Sequence, residues 1–136
     1  METLVFPDGK ALLIAWLKQL TGLTVASAVP KTRPDEFVKV QDAGMQRVDR
    51  HIRELSFTLE FWAKATTRAY GIGAAVLAHF ESVDALDGVT VYHPRDWGPP
   101  VELPDESGQP RYTATVSFRL KSSPLSGAFF MPGNGR

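Results

Sequence analysis

Two segments of this chain alternate residue types with a period of two, and that pattern constrains the fold more than any other feature. In residues 53–62 the odd positions are Arg53, Leu55, Phe57, Leu59 and Phe61, and the even ones Glu54, Ser56, Thr58, Glu60 and Trp62. In residues 111–121 the series Tyr112, Ala114, Val116, Phe118, Leu120 interleaves with Arg111, Thr113, Thr115, Ser117, Arg119 and Lys121. Successive strand residues point to opposite faces, so each segment predicts a long strand with one buried and one mostly solvated face. Antiparallel sheets covered on one side read this way, whereas parallel sheets buried on both faces read as continuous apolar runs.

Two helical stripes supply the cover. Residues 10–20 carry Leu13, Leu17 and Leu20 at helical spacing, with Ala11, Ile14 and Trp16 beside them. Pro7 and Asp8 suit the first turn, and Gly22 supplies a stop. Residues 65–83 repeat the pattern through Ala69, Ile72, Val76, Phe80 and Val83, while Gly71, Gly73, Ala74 and Ala75 permit close approach to a sheet. A further strand is expected over residues 36–41, with Val38 and Val40 on one face, ended by Asp42-Ala43-Gly44. It pairs with the strand at 53–62 across residues 42–51, a loop expected to project as a mobile arm. Shorter β-prone stretches lie at 23–29 and 89–93. The prediction is an α+β fold, a mainly antiparallel β-sheet with two helices packed on one face. Residues 1–121 form its single domain and 122–136 an irregular tail. In that tail Phe129-Phe130-Met131 reads as an apolar docking element.

Composition narrows the function classes. The 136 residues suit one domain, and fifteen Lys and Arg balance fifteen Asp and Glu. Zero net charge weighs against bulk attraction to nucleic acid or anionic membrane, and it leaves self-association unopposed. With no cysteine, thiol nucleophiles, thiolate metal sites and disulfides are excluded. The apolar run at residues 11–17 is far short of the about 20 residues of a membrane span and lacks a cleavage site, so a soluble protein is expected.

No catalytic constellation emerges. His51, His79 and His93 have no metal-ligand spacing, and Gly71-Ile72-Gly73 lies inside a helix, not at a strand-to-helix turn. Glu54 and Glu60, six residues apart on one strand face, stand roughly 20 Å apart, too far to cooperate as acid and base. The expectation is a non-enzyme without cofactor or metal. Charge is uneven despite its zero sum. Residues 81–106 carry seven acids against Arg95, whereas residues 109–136 carry Arg111, Arg119, Lys121 and Arg136 with no acid. Unlike patches on one surface suit a head-to-tail contact between copies. The candidate interface residues are Asp96, Trp97 and Glu102, Arg111 and Arg119, Arg47 and Arg50 of the arm, and Phe129 and Phe130 of the tail.

Taken in order, several segments resemble the tail terminator proteins of long-tailed bacteriophages that infect actinobacteria. They are Phe6-Pro7-Asp8 before an apolar helix, Val29-Pro30 with Arg33-Pro34-Asp35 and Phe37-Val38, and the strand ending Glu60-Phe61-Trp62-Ala63. The alanine-rich helix follows, then Leu103-Pro104-Asp105 and Ser107-Gly108-Gln109-Pro110-Arg111-Tyr112. The resemblance spans residues 4–121. It implies a virion structural protein, made in the host cytoplasm, that sits at the head-proximal end of the tail as a homohexameric ring. Such a ring caps the tail tube, ends its polymerisation and joins it to the head–tail connector. DNA would pass through it without sequence-specific contact, and no membrane is involved. The alternatives are a head–tail connector or head-completion ring protein, and a small monomeric binding module.

Overall fold

A computed structural model describes residues 2–126. The chain begins with β1 (Leu4–Val5) and α1 (Gly9–Thr21), followed by β2 (Thr24–Ala26), β3 (Phe37–Arg47) and β4 (Ile52–Trp62). Then come α2 (Thr66–Phe80), β5 (Ala85–Leu86), β6 (Val89–Thr90), β7 (Tyr92–Asp96), β8 (Val101–Glu102), β9 (Arg111–Lys121) and β10 (Ser123–Pro124). The main sheet runs β2-β3-β4-β9-β7, and β8 pairs with the other end of the same β9 edge. Every pairing in it is antiparallel except the parallel β2–β3 contact. The α+β architecture expected from the alternation is the one observed.

Helix α1 starts at Gly9, one residue before the expected Lys10, with Asp8 as its N-cap and not a first-turn residue. The Asp8 carboxylate accepts from the Ala11 N–H at 3.1 Å, and Gly22 closes the helix in the left-handed region at φ 68°. Leu13 and Leu17 are fully buried beneath it. Helix α2 buries Ala69, Ile72, Gly73, Val76, Leu77 and Phe80 and ends three residues earlier than expected, leaving Val83 in the following turn. A Cβ on Gly73 would come within 2.8 Å of the Phe61 ring, so glycine there sets how closely α2 approaches β4. The helices cover Val38 and Val40 of β3, Phe57, Leu59 and Phe61 of β4, and Ala114, Val116, Phe118 and Leu120 of β9. Rings of Phe57, Phe80 and Phe118 meet at the centre, with centroids 5.7 and 6.3 Å from that of Phe118. Each such side chain contributes about 1.5–3 kcal/mol by leaving water.

Three expectations need correction. The arm at residues 42–51 is not a loop: β3 continues to Arg47 and the turn occupies only residues 48–51. What reads as a strand end, Asp42-Ala43-Gly44, is a β-bulge with Gly44 at φ 139°. The extra residue moves Met45 opposite Leu55; without it Gly44 would take that place and Met45 would face away from the helices. The second correction concerns residues 122–124, the start of the segment expected to be irregular. Ser122 donates to the His51 carbonyl, and Ser123 and Pro124 pair with Val5 and Leu4. The third is the face of β4 turned away from the helices, where Glu54, Glu60 and Trp62 are buried instead of solvated.

Candidate functional site

That uncovered face carries most of the polar architecture. Cross-strand register sets Glu54 opposite Arg119, Glu60 opposite Thr113 and Trp62 opposite Arg111. At one end the Glu54 carboxylate accepts from Arg119 Nε and Arg95 Nη2, both at 3.1 Å, while Arg95 Nε donates to the buried Ser117 hydroxyl at 3.3 Å. Burial alone pushes the Glu54 carboxyl up. Hydrogen bonds from Arg119 and Arg95, helped by their charges, outweigh it and hold the group below its ordinary value. An unpaired carboxylate at this depth would be costly, so the two arginines make the site tenable.

At the other end Trp62 and Phe37 stack at 5.1 Å, and the guanidinium groups of Arg33 and Arg111 each lie 5.1 Å from the Trp62 ring centroid. The Trp62 indole N–H donates to Glu60 at 3.2 Å, and Lys39 and Arg111 flank the same carboxylate at 3.8 Å. Asp105 ties Arg33 and Arg111 together at 3.4 and 3.6 Å. The Ser107 hydroxyl and backbone N–H, with the two guanidinium groups, bring the Asp105 carboxyl down to about 2. Delocalised guanidinium planes suit this stacking better than ammonium groups. These contacts pin the segment before β3 and the loop before β9 over the sheet end.

The candidate interface residues fall into two regions. Asp96, Glu102, Arg111 and Arg119 lie on β7, β8 and β9, and Trp97 directly follows β7. Arg47 and Arg50 lie at the far end of the β3–β4 hairpin, where Arg50 donates to the Glu2 carbonyl. Arg111 and Arg119 do not stand free. Arg111 donates to the Leu103 and Pro104 carbonyls at 2.8 and 3.3 Å and pairs with Asp105, so part of the acid–base match read from the sequence is made within one chain. Asp96 accepts from the Gly98 N–H. Glu102 is exposed on β8, and Trp97 is 58% exposed with Arg95 4.3 Å over its ring. Phe129 and Phe130 lie outside the described residues.

Sequence reasoning missed Glu54, Glu60, Arg33 and Arg95 as a network. Pairing the two alternating segments antiparallel would have set Glu54 against Arg119; nothing local announces Arg33 or Arg95. Among the described residues no group of three or more His, Asp or Glu side chains is arranged to hold a metal ion. No helix among them is long and apolar enough to cross a membrane.

No protein-family model matches the sequence, and no curated protein matches it. The fold has a counterpart. A chain from the virion of a native gene transfer agent particle superimposes with a TM-score of 0.53 at 18% identity, over 79% of this chain and 85% of that one. Most of the sheet-and-helix frame is therefore shared with a virion component, at an identity that speaks for the fold alone.

Proposed function

We propose that the chain is a non-enzymatic structural protein of a phage-like virion, acting at the head-proximal end of the tail. There it closes into a ring, most simply a hexamer, that ends tube polymerisation and offers its other side to the head–tail connector. The observation that carries this reading is the fold shared with a gene transfer agent virion chain over most of both lengths. The resemblance of residues 4–121 to tail terminators sharpens it from virion protein to tube cap. The surface is compatible with that role, since its two open sheet margins and exposed hairpin offer unlike patches for cyclic assembly.

Sedimentation of the purified protein, alone and with polymerising tail-tube protein from the same genome, tests the proposal. The expected result is a species of six times the 15.0 kDa chain mass, or tubes that stop lengthening once the protein is added. A chain that stays monomeric while tubes lengthen unchanged overturns it. Rings that ignore the tube and bind the portal would move the assignment to the connector.

A further inference from the structure

Two exposed apolar features lie at opposite margins of the sheet and on opposite faces. On one margin Asp96 pairs with Val116, and the Trp97 N–H donates to the Thr115 carbonyl at 2.9 Å. This register turns Trp97 away from the helices, to the same face as Thr115 and Arg95. Val101 and Leu103 continue the margin at 61% and 49% exposure. On the other margin β2 pairs with β3 only as far as Lys39, and the rest of that β3 edge is open. Here, on the helix side, a groove of about 460 Å³ is lined by Pro7, Gly9, Met45, Leu55 and Phe57, and the Lys10–Asp42 pair sits on its rim. Met45 is 57% exposed.

We propose that Trp97 of one copy seats in the hairpin groove of a second copy. The inference rests on the self-assembling reading above and gives it a specific contact. Within one chain Trp97 and the groove are three strands apart and on opposite faces, so they cannot meet. Joined between copies, they make a heterologous contact, the type that closes a ring. Charge beside the two features is mixed: Arg95 lies over Trp97, while Asp8 and Asp42 line the groove beside Lys10. Glu102 on the first margin and Arg47 near the groove both lie on the helix side. Arg47 and Glu102 have no ion-pair partner among the described residues, which leaves both available to a neighbour. Tryptophan is also among the residues most enriched at the energetic centres of interfaces.

Because the chain has no cysteine, a Met45→Cys, Val101→Cys double variant places one thiol on each surface and no other thiol anywhere. Oxidation should then give a ladder of covalent multimers, with neither single variant passing dimer. In sedimentation, Trp97→Ala should weaken association about 30-fold and Trp97→Phe much less. Arg47→Glu should weaken it several-fold, with recovery when Glu102→Arg is added. Rings that form normally with Trp97→Ala and give no ladder overturn this contact and leave the assembly reading standing. A wild-type chain that never associates, alone or on tubes, overturns both.

Discussion

The β3–β4 hairpin is one ladder, interrupted by a single bulge, with two unlike ends. At its root Phe37, Val38 and Val40 face Trp62, Phe61 and Leu59, and every one of these is at most 1% exposed. Toward its tip every residue from 41 to 51 is exposed, though the strand pairing continues to Arg47 opposite Arg53. Both halves are backbone-paired on either side of the Gly44 bulge; what differs most is cover. Helices close one side of the root, and the Arg33–Trp62–Arg111 stack closes the other. Pairing alone sustains a strand only where its neighbour is anchored. Here β4 is that anchor, held through β9 along its whole length from Ile52 to Trp62. The root therefore supplies stability, and the tip supplies free side chains.

Truncating the root should cause the largest effect. Phe61→Ala removes a fully buried ring under α2 and should cost about 3–5 kcal/mol in urea unfolding. Met45→Ala at the tip should stay within about 0.5 kcal/mol. Similar losses at both positions would show that the tip belongs to the core and erase the contrast.

Next in size is the clamp on β4 at the level of the tip. Arg119→Ala leaves the buried Glu54 with Arg95 alone and should cost about 1–2 kcal/mol. That is less than for a fully buried pair, because the Arg119 and Arg95 side chains are 35% and 42% exposed. Glu54 is held below its ordinary value of 4.5, so the clamp's contribution is complete above that pH and is lost on acidification below it. The mutational cost, measured by thermal melts, should shrink accordingly toward low pH. A cost unchanged down to the acid limit would mean that Arg119 acts by packing and not by charge. Gly73→Ala should give about 1–2 kcal/mol of destabilisation. Overpacking against Phe61 opposes the gain of about 1 kcal/mol that alanine normally brings to a helix interior. A stabilised variant would show that the root tolerates separation of α2 from β4.

How much of this was legible follows the same division. Alternation in residues 53–62 and 111–121 announced the sheet and its helix-facing residues because period two survives wherever one face is buried. The entry turn at Asp8 and the stop at Gly22 were legible because they act within their own turn. Gly44 misled because a bulge and a strand end use the same residue, and only the partner strand distinguishes them. The buried state of Glu54 and Glu60 was hidden for a related reason. A charged residue at an even position reads as solvated unless the arginines that cover it are known. Of those, Arg95 comes from β7, and Arg33 from the segment before β3. Among the candidate interface residues, Trp97 is exposed, as an anchor for a neighbouring copy would have to be. Arg111 and Arg119 were chosen for charge that the chain largely spends on itself.

The smallest effect expected concerns the strap over the root. Asp105 holds Arg33 and Arg111 together and has its carboxyl brought from 3.8 down to about 2, chiefly by the Ser107 hydroxyl and backbone N–H. A carboxyl depressed on folding contributes stability that is present above its unfolded value and lost as pH falls through its folded value. The strap should thus hold at full strength above pH 3.8 and loosen toward pH 2. Asp105→Asn keeps an acceptor for Ser107 but removes the charge that the two guanidinium groups share. Wild type should melt slightly above the variant at neutral pH, and the two curves should converge as pH is lowered from 3.8 to 2. The charge is partly solvent-screened, so added salt should narrow the neutral-pH gap as well. Curves that stay parallel across that range would assign the strap to the stacking of Arg33 and Arg111 on Trp62. The root would then be closed by aromatic contact alone, and its difference from the tip would no longer depend on charge.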